Sequence, residues 1–166
     1  MKNTFEIIES KILTTETLKH QLGLWRFMSK RIVFTNGCFD ILHLGHIDYL
    51  CKAADLGDVL LIGLNTNQSV SNIKGPHRPI NDERQRSMII ASLHFVDKVM
   101  FFDEATPYEL IKIVQPDVLV KGADYKPEDI VGADIVKAKG GKIMTLDYLP
   151  GYSTSLIEQK IRAAKK

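Results

Sequence analysis

The sequence predicts a doubly wound α/β domain, in which helices cover both faces of a parallel sheet. Short apolar runs typical of buried strands alternate with segments of helical periodicity along the chain. Strands that alternate with helices of about ten or more residues indicate right-handed βαβ crossovers. The 166 residues suffice for one domain with its own core, and 45% hydrophobic and 25% charged residues are globular values. A disordered or fibrous chain is therefore excluded.

The first thirty residues predict an N-terminal helical extension. Thr14 and Thr15, followed by Glu16, resemble a helix N-terminal cap. Apolar residues then recur at helical spacing, at Leu18, Leu22, Trp25 and Met28. We therefore divide the chain into a helical extension, residues 1–30, and an α/β domain, residues 31–166.

The α/β domain alternates between predicted strands and predicted helices. A strand covered on both faces has no polar side, so continuous apolar runs indicate buried strands. The predicted strands are residues 31–36, 58–64, 96–102, 118–120 and 142–146. The predicted helices are residues 44–56, 81–93, 107–114, 130–139 and 153–164. Gly57 is expected to end the first of these helices in the left-handed conformation, and Asn81 or Asp82 to cap the second.

The carboxyl ends of the strands are where such a fold binds its ligands. In doubly wound sheets the ligand lies beyond these ends, at the point where the strand order reverses. The segments in question are residues 36–46, 65–74, 121–125 and 151–154. We expect the functional side chains among them.

Charge, cysteine content and hydropathy narrow the class of protein. The net charge of +2 argues against a nucleic-acid partner held by bulk charge. Cys38 and Cys51 form no CxxC motif and fit a reducing compartment. The N-terminus has acidic residues where a secretion signal needs an apolar core, and no apolar run approaches the roughly 18 residues of a membrane span. We expect a cytoplasmic protein with no membrane partner.

Two histidines follow the first strand of the predicted α/β domain. His43 and His46 are three residues apart, so they share one face at the start of a helix. Gly45 between them lets a ligand approach the backbone, and a helix N-terminus attracts anions. This arrangement favours a site for phosphate oxygens. The alternatives are one buried and one exposed histidine, or a metal pair. No third ligand has matching spacing, so no metal site is predicted.

The residues around these histidines carry a resemblance to a known family. The segment from Asn36 to His46, NGCFDILHLGH, resembles the HxGH signature of the cytidylyltransferase-like nucleotidyltransferase superfamily. The resemblance covers about residues 14–163 and implies a Rossmann-like nucleotidyltransferase fold for residues 31–166. Further segments are similar to the adenylyltransferase domain of bacterial ADP-heptose synthesis, namely Lys74-Gly75 and residues 78–81 (RPIN), 120–130 (VKGADYKPEDI) and 151–155 (GYSTS).

The resemblance implies a reaction and its partners. ATP and D-glycero-β-D-manno-heptose 1-phosphate would give ADP-heptose and pyrophosphate, for lipopolysaccharide core synthesis. The sugar phosphate would attack the α-phosphorus in line, so catalysis depends on positioning and charge stabilisation. Mg²⁺ would accompany ATP and orient the leaving pyrophosphate. The resemblance also implies a homodimer and functional coupling to a separate heptose kinase.

The resemblance also implies site residues, one position at a time. His43 and His46 would bind the α- and β-phosphates and, with Lys121, form the catalytic set. Lys74 would meet the phosphate of the sugar substrate, although an ordinary solvated side chain explains it equally well. The residues expected at the nucleotide are Asn36, Gly37, Cys38, Phe39, Gly45, Asn65, Arg86, Gly122, Asp124, Tyr125, Tyr152, Ser153 and Thr154.

Several positions have a structural interpretation beside the functional one. Asp40 would either cap the next helix or contact the ligand, and Ser153 would cap the last helix while its backbone binds phosphate. Lys121 ends a strand, where a buried ammonium without a phosphate nearby would be costly. Cys38 is expected to be a packing residue, because no step of this chemistry needs a thiol.

Other functions stay open from the sequence. Glycerol-phosphate cytidylyltransferases carry an arginine shortly before the Ser-Thr pair, where this chain has Leu149-Pro-Gly-Tyr152. Its absence weakens that alternative, a cytidylyltransferase acting on glycerol 3-phosphate or a related alcohol phosphate. A nucleotide-binding module without turnover is a further class, against which the intact His43 and His46 argue. The extension would either dock a kinase subunit through Trp25 and Phe27 or pack back onto the core.

Overall fold

The computed structural model describes residues 3–123, 126 and 129–164, which form one parallel sheet with helices on both faces. The strands are β1 (Ile12–Leu13), β2 (Ile32–Gly37), β3 (Val59–Asn65), β4 (Lys98–Phe102), β5 (Val118–Gly122) and β6 (Lys142–Leu146). The helices are α1 (Thr4–Glu9), α2 (Thr15–Phe27), α3 (Leu44–Ala54), α4 (Asn67–Lys74), α5 (Glu83–Ser92), α6 (Tyr108–Val114), α7 (Ala133–Ala138) and α8 (Thr154–Ala163). The predicted α/β fold class is confirmed.

The order of the strands fixes where a ligand can bind. The sheet runs β1-β4-β3-β2-β5-β6, and every neighbouring pair is parallel. From β2 the chain moves outward through β3 and β4, and then returns to β5 on the other side of β2, so the order reverses between β2 and β5. The described pairing of β2 with β5 involves Val33 and Phe34 and ends short of the carboxyl end of β2. A crevice can therefore open there.

Each face of the sheet has its own core. Leu18 of α2, Ile111 of α6 and Phe34 of β2 belong to one buried cluster. Leu50 of α3 and Ile90 of α5 belong to the other. All seven residues of β3 are buried, which is why this strand has the continuous apolar sequence that a two-sided cover requires. The two cores hold β2 rigidly from both sides.

The sequence predicts a helical extension over the first thirty residues, but the structure shows that this segment is not wholly helical. The short strand β1 separates α1 from α2 and extends the sheet, with Ile12 opposite Val99 of β4. Two residues are too few to show a period, so only the pairing with β4 reveals this strand. Trp25 of α2 is buried in the core, whereas Phe27 is 88% exposed. The helix therefore packs its apolar face onto the sheet, and the division of the chain at residue 30 stays a prediction.

The predicted left-handed end of α3 at Gly57 is wrong. The helix ends at Ala54, and Asp55 caps it in the right-handed conformation. Gly57 is instead required by a close approach between chain segments. A Cβ there would lie 2.6 Å from Cγ2 of Val33 and 2.7 Å from the carbonyl oxygen of Arg31.

No helix was predicted for residues 65–74, but one forms there and ends at Lys74. The hydroxyl of Thr66 accepts a hydrogen bond from the N–H of Ser69 and caps α4, whose last residue is Lys74. This helix directly follows β3 and carries Lys74 along the carboxyl edge of the sheet. Among the helices that the structure describes, none combines the length and the apolar character needed to cross a membrane.

Candidate active site

The turn after β2 lies where the strand order reverses. Phe39 in this turn has a left-handed backbone, with φ of 44°, and its ring covers Gly37, where a Cβ would lie 3.0 Å from Cε2 of that ring. Left-handed residues other than glycine are uncommon and cluster at functional sites. Across the gap between the strands, Nζ of Lys121 on β5 donates a hydrogen bond to Oδ1 of Asn36. The turn and the end of β5 therefore form one polar wall.

His43 and His46 stack on each other at the start of α3. Their ring centroids are 3.8 Å apart, and the ring planes differ by 23°. Phe39 meets His46 edge-on, with the centroids 5.3 Å apart. Nδ1 of each histidine is buried and has no hydrogen-bond partner among the described residues. Because an unpaired buried polar atom is costly, this pair suits a ligand that brings hydrogen-bonding groups.

Both imidazole rings favour the neutral form. Burial lowers the pKa of His46 to about 4, and the positive charges of His43 and Lys74 contribute to the shift. Burial also lowers the pKa of His43. At neutral pH each ring therefore carries one N–H donor, and the negative charge of a bound phosphate would raise both pKa values again.

Two cavities meet at the turn after β2. The first has a volume of about 270 Å³ and contains the ring of His46 in its wall. The second has a volume of about 360 Å³ and is bordered by Ile73, Phe102 and Pro107. Residues that line both cavities are Asn36, Gly37, Cys38, Lys74 and Lys121. Two lysines therefore stand where the cavities join.

Cys38 lines both cavities together with the two lysines but is not an activated thiol. Burial raises the pKa of the Cys38 thiol, and the opposing effects of Lys74, Arg86 and Lys121 do not cancel it. Its Sγ lies 3.8 Å from Oδ1 of Asn65. The thiol therefore stays protonated at neutral pH and contributes packing at the site.

Arg86 supports the site from behind. Its side chain is buried, and the guanidinium donates to the carbonyl oxygens of Cys38 at 2.8 Å and Asn65 at 2.7 Å. It also donates to the carbonyl of Asn81 and to Oδ1 of Asn67. The guanidinium therefore fixes the loops after β2 and β3 relative to each other. The nucleotide contact expected for Arg86 stays a prediction.

Asp40 ties the turn to the segment before α5. Its carboxylate accepts hydrogen bonds from the N–H groups of Ile80 at 2.8 Å and Asn81 at 2.9 Å, and pairs with Arg78 at 2.6 Å. Burial alone would raise the pKa of Asp40, but these donors outweigh it and lower the pKa. The cap of α3 is His43 and not Asp40, so the capping role considered for Asp40 is wrong.

The start of α8 forms the far side of the first cavity. Ser153 caps the helix, because its Oγ accepts a hydrogen bond from the N–H of Leu156 at 3.2 Å, and Thr154 lines the cavity. The backbone before the cap lies against α3, since a Cβ on Gly45 would be 3.2 Å from the carbonyl oxygen of Tyr152. Two helix N-termini, those of α3 and α8, therefore flank the same cavity, and both attract anions.

The structure brings most of the predicted site residues together. Those lining the first cavity are Asn36, Gly37, Cys38, Phe39, His46, Lys74, Lys121, Gly122 and Thr154. Asn65 lines the second cavity. His43, Gly45, Tyr152 and Ser153 adjoin the first cavity through the contacts given above, and Arg86 lies behind it. Asp124 and Tyr125 lie outside the described residues.

Two tyrosines at the cavity had not been predicted. The hydroxyl of Tyr49 forms a buried hydrogen bond of 2.7 Å with Oγ1 of Thr35. The ring of Tyr148 lies over Gly122, whose missing Cβ would clash with the tyrosine hydroxyl. Tyr148 comes just after β6, so the search beyond the carboxyl ends of strands should have included it. Tyr49 is three residues after His46 on α3, and this helical spacing was the available signal.

The donor set of the described residues does not fit a metal ion held by side chains alone. Within the described ranges, no group of three or more His, Cys, Asp or Glu side chains is placed to bind one. Asp40 lines the cavity, but Arg78 and two N–H groups already occupy its carboxylate. A divalent cation that arrives on the phosphates of a substrate, as Mg²⁺ commonly does, would not need such a cluster.

Fold and site together define an α/β domain with a polar crevice at its topological switch point, lined by groups that suit a phosphate-bearing ligand. The crevice between β2 and β5, the stacked histidines and the two lysines all lie at the carboxyl edge of the sheet. Residues 34–160 match the cytidylyltransferase-like family. The chain belongs to this family.

Curated relatives extend over nearly the whole chain. It is 53% identical, over 157 residues and 95% of its length, to the bifunctional protein HldE of Campylobacter jejuni subsp. doylei. It is 48% identical, over 92% of its length, to the protein of the same name from Syntrophotalea carbinolica. The chain spans about a third of the length of these relatives, 32% and 31%.

Solved structures agree with the fold. The lipopolysaccharide core biosynthesis protein of Thermoplasma volcanium has a TM-score of 0.57 and 29% identity, covering 72% of this chain and 97% of its own. A pantoate-β-alanine ligase from Francisella tularensis has a TM-score of 0.58, covering 93% of this chain and 78% of its own. At 19% identity, the second likeness concerns the fold alone.

Proposed function

We propose that the chain is a nucleotidyltransferase that transfers AMP from ATP to D-glycero-β-D-manno-heptose 1-phosphate, giving ADP-heptose and pyrophosphate. The observation that carries the proposal is the pair of stacked, neutral histidines with unpaired buried nitrogens beside Lys121 and Lys74. Membership of the cytidylyltransferase-like family and the identity to HldE proteins support it. The name of the Thermoplasma protein supports the link to lipopolysaccharide core synthesis.

The two cavities offer separate places for two substrates. The first cavity, flanked by the N-termini of α3 and α8, suits the triphosphate, because helix N-termini attract anions. The second cavity suits the sugar of the acceptor, with Lys74 at the junction to hold its phosphate. This assignment brings the acceptor phosphate next to the α-phosphorus.

The reaction is a single in-line displacement in this proposal. An oxygen of the sugar phosphate forms a bond to the α-phosphorus, and the bond from that phosphorus to the bridging oxygen of the β-phosphate breaks. The electron pair leaves with pyrophosphate. His43 and His46 donate N–H groups to the α- and β-phosphates, and Lys121 neutralises charge that develops in the transition state. The protonated Cys38 thiol agrees with a mechanism that has no covalent enzyme intermediate.

Mg²⁺ enters in this proposal as part of the nucleotide substrate. The described residues hold no ligand cluster of their own. Mg²⁺ characteristically keeps several waters and binds through substrate phosphates, so Mg·ATP is the expected form. The ion would screen the triphosphate, while the lysines and histidines orient it.

The resemblance also leads us to propose a cytoplasmic homodimer that acts next to a heptose kinase. The bifunctional relatives are about three times as long as the region they share with this chain, which supports coupling to a second activity. Light scattering tests the dimer. A single particle mass near 18.7 kDa would contradict it.

The proposed activity is tested by pyrophosphate release in the presence of Mg²⁺. ATP and CTP are each combined with heptose 1-phosphate and with glycerol 3-phosphate, giving every pair in one series. Release with ATP and heptose 1-phosphate alone is the expected result. Release only with CTP would move the chain to the cytidylyltransferases. A folded protein that binds nucleotide but releases nothing with any pair would be a binding module and would overturn the proposal.

A further inference from the structure

Arg78 connects the histidine turn with the last helix. One nitrogen of its guanidinium, Nη1, lies 2.6 Å from Oδ2 of Asp40, and the other, Nη2, contacts Oε1 of Glu158 on α8. The side chain of Arg78 is 17% exposed and that of Asp40 only 1%. The side chain of Glu158 is 29% exposed, so the Asp40 end of the bridge is shielded from water and the Glu158 end only in part. Both ends are therefore expected to hold their geometry more firmly than a fully exposed ion pair.

The Asp40 end of this bridge is fixed. Besides Arg78, its carboxylate accepts hydrogen bonds from the N–H groups of Ile80 and Asn81, and its backbone carbonyl accepts one from the side chain of Asn81. Asp40 also lies next to Phe39, whose ring packs on His46. A displacement of Asp40 would therefore be passed to the histidine pair.

The Glu158 end is held more weakly by its own helix. No residue of α8 is buried, and Leu156 and Ile161 are 39% and 54% exposed. Among the residues that the structure describes, the other cation within ion-pair distance of Glu158 is Arg162 of the same helix, at 3.9 Å and with an 82% exposed side chain. Arg162 cannot attach α8 to the rest of the protein, whereas Arg78 can. Hydrophobic packing alone gives α8 little anchorage.

Glu158 lies one helical turn after Thr154, which lines the first cavity. Residues four apart share one face of a helix. We infer that Arg78 is a positioning residue, which uses its two-ended bridge to set the distance between the histidine pair and the N-terminus of α8. It contacts neither cavity that holds the proposed substrates and acts through Asp40 and Glu158. This inference rests on the proposed function for its effects on ATP binding and turnover, whereas its effect on amide exchange in α8 does not depend on that function.

The test compares Arg78→Gln, Glu158→Gln and the double variant, with Arg162→Gln as matched control. Three quantities are measured: the Kd for ATP by calorimetry, amide hydrogen exchange along α8, and kcat and KM where turnover occurs. We expect Arg78→Gln to raise the Kd by about tenfold or more, because a misplacement of about 1 Å can cost about a hundredfold in a preorganised site. Exchange in α8 should accelerate while exchange in β3 stays slow.

Glu158→Gln should change the Kd in the same direction, and the double variant should be no worse than the more affected single variant, because both remove one bridge. Arg162→Gln should match the wild type. Arg78→Lys should restore less than half of the lost affinity, since a single ammonium cannot occupy both ends of the fork.

Two results would overturn the inference. One is a lower melting temperature of Arg78→Gln with unchanged Kd and unchanged α8 exchange, which marks a purely structural residue. The other is full additivity of the two variants in Kd. Absence of turnover in the wild type would instead contradict the proposed function, and the binding and exchange measurements would still decide the role of Arg78.

Discussion

His46 should make the folded protein sensitive to mild acid. Its pKa in the folded protein is about 4, against about 6.5 for an exposed histidine. Between these values the unfolded chain binds a proton that the folded protein does not, so the free energy of unfolding falls as the pH falls below about 6.5. Integrating the linkage relation from about pH 7.5 to about pH 5 gives a loss of about 2 kcal/mol from this residue. Above about pH 7 the contribution is complete.

The assay is urea denaturation followed by circular dichroism at several pH values in this window. His46→Asn should lose about 2 kcal/mol less than the wild type between about pH 7.5 and about pH 5, because the asparagine does not titrate. His20→Asn is the matched control, since His20 is exposed on α2. The lowered pKa of His43 should leave part of the acid sensitivity in place. Equal slopes for His46→Asn and the wild type would refute the view that His46 is held neutral by burial.

Three further predictions concern the site and the packing of the chain. Lys121→Met should lower kcat/KM by about a hundredfold, because it removes one group that stabilises charge in the transition state. An unchanged kcat/KM in steady-state kinetics would contradict the role proposed for Lys121. Gly122→Ala should weaken ATP binding in calorimetry while changing the melting temperature little, because the new Cβ displaces the half-exposed ring of Tyr148 into the cavity. Gly57→Ala should lower the free energy of unfolding by about 1 to 3 kcal/mol, because the new Cβ would clash with its neighbours. Gly23→Ala should raise the free energy of unfolding by about 0.5 to 1 kcal/mol, because the space around Gly23 on α2 is open and alanine favours the helix. Denaturant titrations check both, and equal effects of the two glycine variants would contradict this account of close packing.

Much of the sheet could be predicted because its strands are marked by local composition. The strand Lys142–Leu146 was predicted with the observed bounds, and the run through Val59 to Leu64 shows by its uninterrupted apolar residues that both faces are covered. The short strand Ile12–Leu13 carries no such signal, because its identity comes from pairing with β4, far along the chain. The periodicity of apolar residues indicates which residues are buried locally, but it does not indicate which strand pairs with which.

The residues of the candidate site that could be predicted are those that lie close to the carboxyl end of a strand. His43, His46 and Lys121 follow from that rule together with the HxGH resemblance. The role of Arg86 as a support for two loops was not predictable, because its acceptors on Cys38 and Asn65 are 48 and 21 residues away in the chain. Such bonds arise only when the fold brings distant carbonyl groups to one side chain.

The ion pairs of Arg78 could not be predicted either, because their partners are also distant in the chain. The RPIN segment was recognisable as part of a resemblance, but the sequence does not indicate that its arginine joins Asp40 to Glu158, which lies 80 residues after the arginine. Partners of ion pairs are set by topology, here by the position of α8 beside the turn after β2. The positioning role that we infer for Arg78 can be recognised only from its ion pairs with Asp40 and Glu158.

The proposed activity requires that AMP, and not the terminal phosphoryl group, passes from ATP to a sugar phosphate. The most direct measurement uses ATP labelled separately at the α- and γ-phosphorus, with Mg²⁺ and heptose 1-phosphate, and separates the products by chromatography. We expect the α-label to appear in the sugar nucleotide and the γ-label in pyrophosphate, with both transfers strongly reduced in His46→Asn. A γ-label on the sugar, or transfer of the α-label that is unchanged by His46→Asn, would contradict it.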